Sequence, residues 1–205
     1  MTDKTVYLVD DEEAIRRSAG FMLRTSGHRV EAFESGVDFL KVARDLAPGC
    51  ILLDIRMPGM DGLEVQEALN DRGIALPVVI MTGHGDITIA VRAMKAGAVD
   101  FIEKPFEKAV LMGALERAWQ RLERSGQRAA RAEEAAMRLR ILTPRERDVL
   151  DGLVEGLPNK TIAYDLGISP RTVEIHRANV MAKLEVKSLS EALRIAFAAG
   201  DSGEV

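Results

Sequence analysis

The stretch Leu8-Val9-Asp10-Asp11-Glu12-Glu13 sets four carboxylates in a row directly after an apolar run. Two carboxylates about 4 Å apart repel by roughly 4 kcal/mol at the effective dielectric near a protein surface. A cation would relieve that repulsion, and so would exposure to water. Other polar groups close later apolar runs: Asp54 ends CILL, Thr82 ends PVVIM, and Lys104 follows VDFI. Brought together, these groups would make a hard-cation site beside a nucleophilic carboxylate. Mg2+ takes oxygen ligands in octahedral geometry and is held by one or two carboxylates plus water and phosphate. Asp11 and Asp54 could ligate it directly and Asp10 through a water. Carboxylates accept phosphoryl groups as aspartyl-phosphate, and phosphoryl transfer asks the protein mainly for positioning and charge neutralisation. Lys104 offers a fixed positive charge, and Thr82 a short hydroxyl for a phosphoryl oxygen.

The elements that must position them are five apolar runs: TVYLV (5–9), HRVEAF (28–33), CILL (50–53), PVVIM (77–81) and VDFI (99–102). Segments with three-to-four-residue apolar spacing lie between them, and Gly and Pro mark the joints. Unbroken apolar strands separated by helices predict a parallel sheet covered on both faces, hence a doubly wound five-stranded α/β domain. In such a sheet ligands bind outside the carboxyl ends of the strands. Those ends carry Asp10-Asp11, Asp54, Thr82 and Lys104; only strand two, expected at the edge, ends without such a group. Taken singly, each residue has a plainer reading: Asp54 a helix cap, Thr82 a strand terminus, Lys104 a solvated charge, Phe101 a core aromatic. Their convergence favours a site. A nicotinamide-binding loop would need glycines where the four acids stand, and a haloacid-dehalogenase-type phosphatase would need an acid two residues past Asp54, where Arg56 stands.

The segments LVDDEEA, ILLDIRMPGMDG, VVIMTGHGD and DFIEKPF, in that order and spacing, resemble the flavodoxin-like receiver domain of two-component response regulators. The resemblance implies that Asp54 is the phospho-acceptor, that Asp10 and Asp11 form an acidic Mg2+ pocket, and that the backbone carbonyl of Arg56 completes the metal shell. It makes Thr82 and Phe101 switch residues, makes Lys104 the phosphate-contacting lysine, and implies a cis peptide at Lys104-Pro105. Glu12 and Glu13 then simply begin a helix, where acids suit the dipole. Gly83-His84-Gly85 is expected to form a loop over the site, and Cys50 to lie in the buried sheet.

After Leu142 the pattern becomes wholly helical. Thr143-Pro144-Arg145-Glu146 reads as a capping box with Pro at the first helical position. A second helix begins near Asn159 and ends before Gly167, a third follows Ser169-Pro170, and SLSEALRIAFAAG makes a fourth. Helix, short turn and helix is the form of a helix-turn-helix, whose second helix enters the major groove; spacing alone leaves a generic helical pair equally open. The text LTPRERDVLDGLVEGLPNKTIAYDLGISPRTVEIHRANVMAKL is similar to the LuxR-type DNA-binding domain, so the whole chain resembles regulators of the FixJ/NarL type. On the third helix Arg171, Thr172, Glu174, Ile175, Ala178 and Lys183 are candidates for the groove side, with Arg177 and Asn179 beside them; these residue types read base edges. Asn159, Lys160 and His176 are expected on phosphates.

The expected division is a receiver at 1–120, a helical linker at 121–141, an all-α four-helix helix-turn-helix domain at 142–200 and a tail at 201–205. Residues 117–140 hold 7 Lys and Arg against 3 Asp and Glu, while residues 1–116 hold 13 against 19, which separates a basic middle from an acidic front. Leu111, Leu115, Ala118 and Leu122 continue into Ser125, Ala129, Ala132, Ala136 and Leu139 at heptad spacing; the favoured reading packs Leu111–Leu122 on the sheet and leaves the rest a helical, solvated tether. The single Cys50 excludes an intrachain disulfide, and no run of about 18 apolar residues suggests a membrane span. The expectation is a cytoplasmic, phosphorylation-activated DNA-binding regulator, not an enzyme. Its partners would be a histidine kinase, double-stranded DNA and a second copy of itself on phosphorylation. The alternative is a phosphorylation-independent DNA-binding regulator whose receiver is a protein-interaction scaffold.

Overall fold

The computed structural model describes residues 4–83 and 87–200. The chain divides into two compact units, Met1–Arg124 and Ser125–Val205. In the first, β1 (Thr5–Val9), β2 (Arg29–Phe33), β3 (Gly49–Asp54), β4 (Val78–Thr82) and β5 (Asp100–Glu103) form one parallel sheet in the order β2-β1-β3-β4-β5. Strand two is indeed at an edge.

The unbroken apolar runs make sense once successive side chains are sent to opposite faces. Tyr7, Val9, Ile51, Leu53, Val78 and Ile80 join one buried cluster with Phe39 and Leu40 of α2 (Gly36–Val42), Leu63, Val65 and Leu69 of α3 (Gly62–Asp71), and Ala93 of α4 (Ile87–Lys95). Val6, Leu8, Cys50, Leu52, Val79 and Met81 join the other with Ala19 and Leu23 of α1 (Glu13–Thr25) and Leu111, Leu115, Ala118 and Trp119 of α5 (Lys108–Leu139). Three helices thus cover one face and two the other, which is the doubly wound arrangement. Glu12 occupies the N-cap of α1, and Glu13 lies in its first turn.

The register brings together the strand ends that carry the candidate residues. Val9 lies opposite Leu53, Asp54 opposite Met81, and Thr82 opposite Glu103. The residues after β1, at the end of β3 and β4, and after β5 therefore share one edge. Gly62 opens α3 beneath that edge with its N–H on the Ile55 carbonyl at 2.9 Å.

In the second unit, α6 (Pro144–Val154) starts with a complete capping box in which Thr143 and Glu146 each accept the other's backbone N–H. α7 (Asn159–Leu166) ends at Gly167, whose φ of 66° is the left-handed conformation that glycine adopts without cost. Ser169 caps α8 (Pro170–Lys183) by accepting the Thr172 N–H, and α9 (Leu189–Gly200) follows. Val149, Leu153, Ile162, Ala163 and Val173 form one buried cluster; Leu139, Leu150, Val180, Leu184 and Ala192 form another.

The helical tether expected after Leu122 is exposed over residues 123–131, but the expectation of solvation is corrected beyond them. α5 continues to Leu139, through Gly126 without a break, and Ala132, Ala135 and Leu139 are buried. Leu139 belongs to the second unit's core, and Arg138 donates to the Leu184 carbonyl. Alanine favours helix strongly enough that a weak seam still forms one.

A Cβ on Gly62 would stand 2.3 Å from the Asp54 carbonyl oxygen and 2.9 Å from the Ile55 Cα. Since both obstacles are backbone, Gly62→Ala is expected to destabilise the first unit by about 1–3 kcal/mol, read as a lowered denaturation midpoint at an unchanged slope.

Candidate phospho-acceptor site and DNA-binding helices

Asp10, at the turn from β1 to α1, is fully buried, and both carboxylate oxygens are engaged. Its Oδ1 accepts the Glu12 N–H at 2.9 Å, and its Oδ2 accepts from Lys104 Nζ at 2.7 Å. Asp54, the last residue of β3, is also buried, with Oδ1 2.8 Å from the same ammonium. Asp11 is exposed. Carboxylate oxygens of Asp10, Asp11 and Asp54 all lie within 4.8 Å of one another, a donor set of hard oxygens suited to Mg2+. Glu12, exposed, reaches Lys104 only at 3.8 Å.

Burial pushes the Asp54 carboxyl up to about 6. The hydrogen bond and charge of Lys104 oppose this, while the charges of Asp10 and Asp11 add to it. Burial alone would lower the Lys104 amine, but its hydrogen bonds to Asp10 and Asp54 and their charges outweigh that and hold it above the ordinary lysine value. A single ammonium thus serves two buried carboxylates, and a third acid adds to the excess of negative charge.

Thr82 is buried, and its hydroxyl donates to the Gly83 carbonyl at 3.1 Å. Phe101 is 46% exposed, so it is not the core aromatic of the plainer reading. Lys104-Pro105 is cis. Arg56 is exposed and stands two residues past the end of β3. His84 and Gly85 of the expected loop lie outside the described residues. Reading the sequence did not single out Arg16, whose Nη1 donates to the carbonyls of Asp10 and Asp11, each at 2.7 Å. An arginine in the first helix reads as a solvated charge, and no sequence signal distinguishes this one.

In the second unit, Arg171, Glu174, Ile175, Ala178 and Asn179 form an exposed stripe on α8, while Val173 and Val180 hold its opposite side in the core. Thr172 is half-buried, its hydroxyl 2.8 Å from that of Ser169. Asn159 and exposed Lys160 begin α7, and Asn159 Oδ1 accepts from Arg177 at 2.8 Å. His176 is half-buried, with Nδ1 unpartnered among the described residues. Lys183, the remaining groove-side candidate, is exposed, and its ammonium stands 2.7 Å from the buried Glu146 carboxylate, tying the end of α8 to the start of α6. Burial would raise the Glu146 carboxyl, but Lys183 and the Thr143 hydrogen bonds hold it below its ordinary value.

The geometry meets known proteins at both ends of the chain. A model of the response regulator receiver domain matches residues 6–116, and one of bacterial regulatory proteins of the luxR family matches residues 140–196. The chain belongs to the response regulators. The transcriptional regulatory protein FixJ of Rhizobium meliloti (strain 1021) is 52% identical over 200 residues, covering 98% of each sequence. The crystal structure of full-length FixJ from B. japonicum is similar with a TM-score of 0.62 at 45% identity, over 98% of this chain and 99% of that one. The response regulator StyR gives a TM-score of 0.73 at 41% identity, over 95% and 98%. The chain is therefore a phosphorylation-activated transcription regulator of a two-component system, with a receiver and a luxR-type DNA-binding domain. Such regulators are not an enzyme class.

Because folding raises the Asp54 carboxyl from 3.8 to about 6, the native state binds that proton more tightly than the unfolded chain. Stability from this group is therefore present at low pH and lost as pH rises through that interval. Relative to wild type, Asp54→Asn is expected to gain on the order of 1–3 kcal/mol near pH 7, a gain that fades toward about pH 4. Paired melts of the two proteins across pH, without divalent ions, measure it.

Proposed function

We propose that Asp54 accepts the phosphoryl group from the phosphohistidine of a partner kinase, and that Asp10, Asp11, Asp54 and the Arg56 carbonyl hold Mg2+. The observation that carries this reading is the convergence of three carboxylates and the Lys104 ammonium on one sheet edge. With the Asp54 carboxyl at about 6, its carboxylate form predominates at neutral pH and is the nucleophile. One oxygen of Asp54 bonds to phosphorus while the bond from phosphorus to the kinase histidine nitrogen breaks. Lys104 faces the charge of the arriving phosphoryl oxygens. Bound Mg2+ supplies positive charge against the same oxygens.

Thr82 then exchanges the Gly83 carbonyl for a phosphoryl oxygen, and the exposed Phe101 ring re-packs on the neighbouring strand. For this to shift a population, the phosphoryl group must bind one arrangement better than the other. Two receivers pair in the favoured arrangement and bring two copies of α8 to a two-fold DNA site in the cytoplasm. Arg171, Thr172, Glu174 and Ile175 face the base edges, whereas Asn159, Lys160, His176 and Arg177 face phosphates. Lys183, held by Glu146, serves the domain's fold. Residues 141–200 hold 8 Lys and Arg against 8 Asp and Glu, so a single copy lacks the positive excess for tight binding and gains from pairing. The chain stores a phosphoryl group rather than passing it to a second substrate, so it is not read as an enzyme.

Solution mass by light scattering, with Mg2+ and with or without acetyl phosphate, tests the switch. The wild-type mass is expected to double on phosphorylation, and that of Asp54→Asn to stay at the monomer. A constant wild-type mass despite confirmed phosphorylation would remove pairing as the coupling step.

A further inference from the structure

Arg16 reaches back from the first turn of α1 to the loop that carries two of the three pocket acids. Its backbone N–H donates to the Glu12 carbonyl at 3.0 Å, which seats it in the helix. Its Nη1, a donor only, donates to two successive carbonyls, those of Asp10 and Asp11, each at 2.7 Å. The peptide before them is pinned as well, since the Asp10 N–H donates to the Phe33 carbonyl at 3.1 Å.

The three acids differ in how they are held. Asp10 has both side-chain oxygens bonded, and Asp54 is buried against Lys104. The Asp11 carboxylate is exposed and makes no hydrogen bond or ion pair among the described residues. What locates it is its backbone. Two consecutive carbonyls converging on one guanidinium nitrogen set the orientation of both peptide planes, and hence the direction in which Asp11 leaves the chain.

We propose that Arg16 is a positioning residue for the cation pocket, fixing Asp11 through the two carbonyls and thereby strengthening Mg2+ binding. The inference rests on the reading of Asp10, Asp11 and Asp54 as the Mg2+ site. Groups behind the ligands of a metal site commonly change affinity by about 10–100-fold when removed, because the ligands then have to be ordered by the metal itself.

Charge and positioning predict opposite signs here, which makes the test sharp. Arg16 is a cation beside a cation site, so removing its charge should tighten Mg2+ binding if electrostatics were its whole contribution. If positioning dominates, removing it should weaken binding. The experiment is calorimetric titration of the unphosphorylated full chain with MgCl2 for wild type, Arg16→Met, Arg16→Lys and Arg17→Met. It is paired with the Mg2+ dependence of phosphoryl uptake from acetyl phosphate. Arg17 is exposed and pairs with Glu13 at 2.5 Å, with no hydrogen bond to the pocket loop among the described residues, so Arg17→Met controls for loss of a nearby charge.

The expected result is Mg2+ binding weakened about tenfold in Arg16→Met, with wild-type affinity in Arg17→Met. The Mg2+ concentration for half-maximal phosphorylation should rise by the same factor, while the rate at saturating Mg2+ stays within about twofold. Arg16→Lys keeps the charge but offers an ammonium in place of the guanidinium, and it should also bind more weakly than wild type. This keeps the test open should Arg16→Met fold poorly. Equal or tighter Mg2+ binding in folded Arg16→Met or Arg16→Lys overturns the proposal. A wild-type chain that binds no Mg2+ overturns the pocket reading itself, an outcome distinct from a wild type that binds and an Arg16→Met that binds equally well.

Discussion

Lys104 places one ammonium 2.7 Å from Asp10 and 2.8 Å from Asp54, two carboxylates that the parallel register leaves no room to separate. Buried charges persist only when paired and hydrogen-bonded, and here, among the described residues, the Lys104 ammonium answers for both. Asp11 adds a third negative charge within 4.8 Å. The edge is thus short of positive charge, and burial of Asp54 raises its proton affinity further. A divalent ion suits that shortage. A phosphoryl group would then find a carboxylate nucleophile and an ammonium already opposite it, so little has to be reorganised when charge arrives.

The surrounding structure serves that contact. Alternating side chains bury the strands on both faces, so the sheet cannot slip by a residue without sending Tyr7, Ile51 and their neighbours to the wrong cluster. The Lys104 N–H donates to the Thr82 carbonyl at 2.8 Å, which couples the strand carrying the hydroxyl to the one carrying the ammonium and Phe101. In the second unit the same economy holds at another scale. Val173 and Val180 anchor α8 in two separate clusters, and the Lys183–Glu146 pair ties its end to a helix start, leaving the exposed stripe in one fixed orientation.

Most of the receiver was legible because its signals are local and mutually consistent. Apolar runs bounded by Gly and Pro mark strands, and the residue closing each run marks the candidate site once the sheet is known to be parallel. The helix caps at Thr143 and Ser169 were legible for the same reason, since capping chemistry lies within four residues. What stayed hidden were contacts between residues distant in sequence. Leu139 reads as the last member of a weak seam, but its partners are Leu150, Val180, Leu184 and Ala192. Lys183 reads as a cation facing outward on α8, and only folding shows it held by a glutamate 37 positions earlier. Arg16 looks like its exposed neighbour Arg17, and nothing in their spacing separates the one that grips the pocket loop from the one that does not.

The most direct test of the account is the location of the phosphoryl group. The full chain would be treated with acetyl phosphate and Mg2+, reduced with borohydride, digested, and sequenced by mass spectrometry, since reduction converts an aspartyl-phosphate to homoserine. The account predicts homoserine at position 54 and at no other aspartate, with none when Mg2+ is omitted. Homoserine at position 10 or 11 instead, or an unmodified Asp54 in a folded chain saturated with Mg2+, would contradict it.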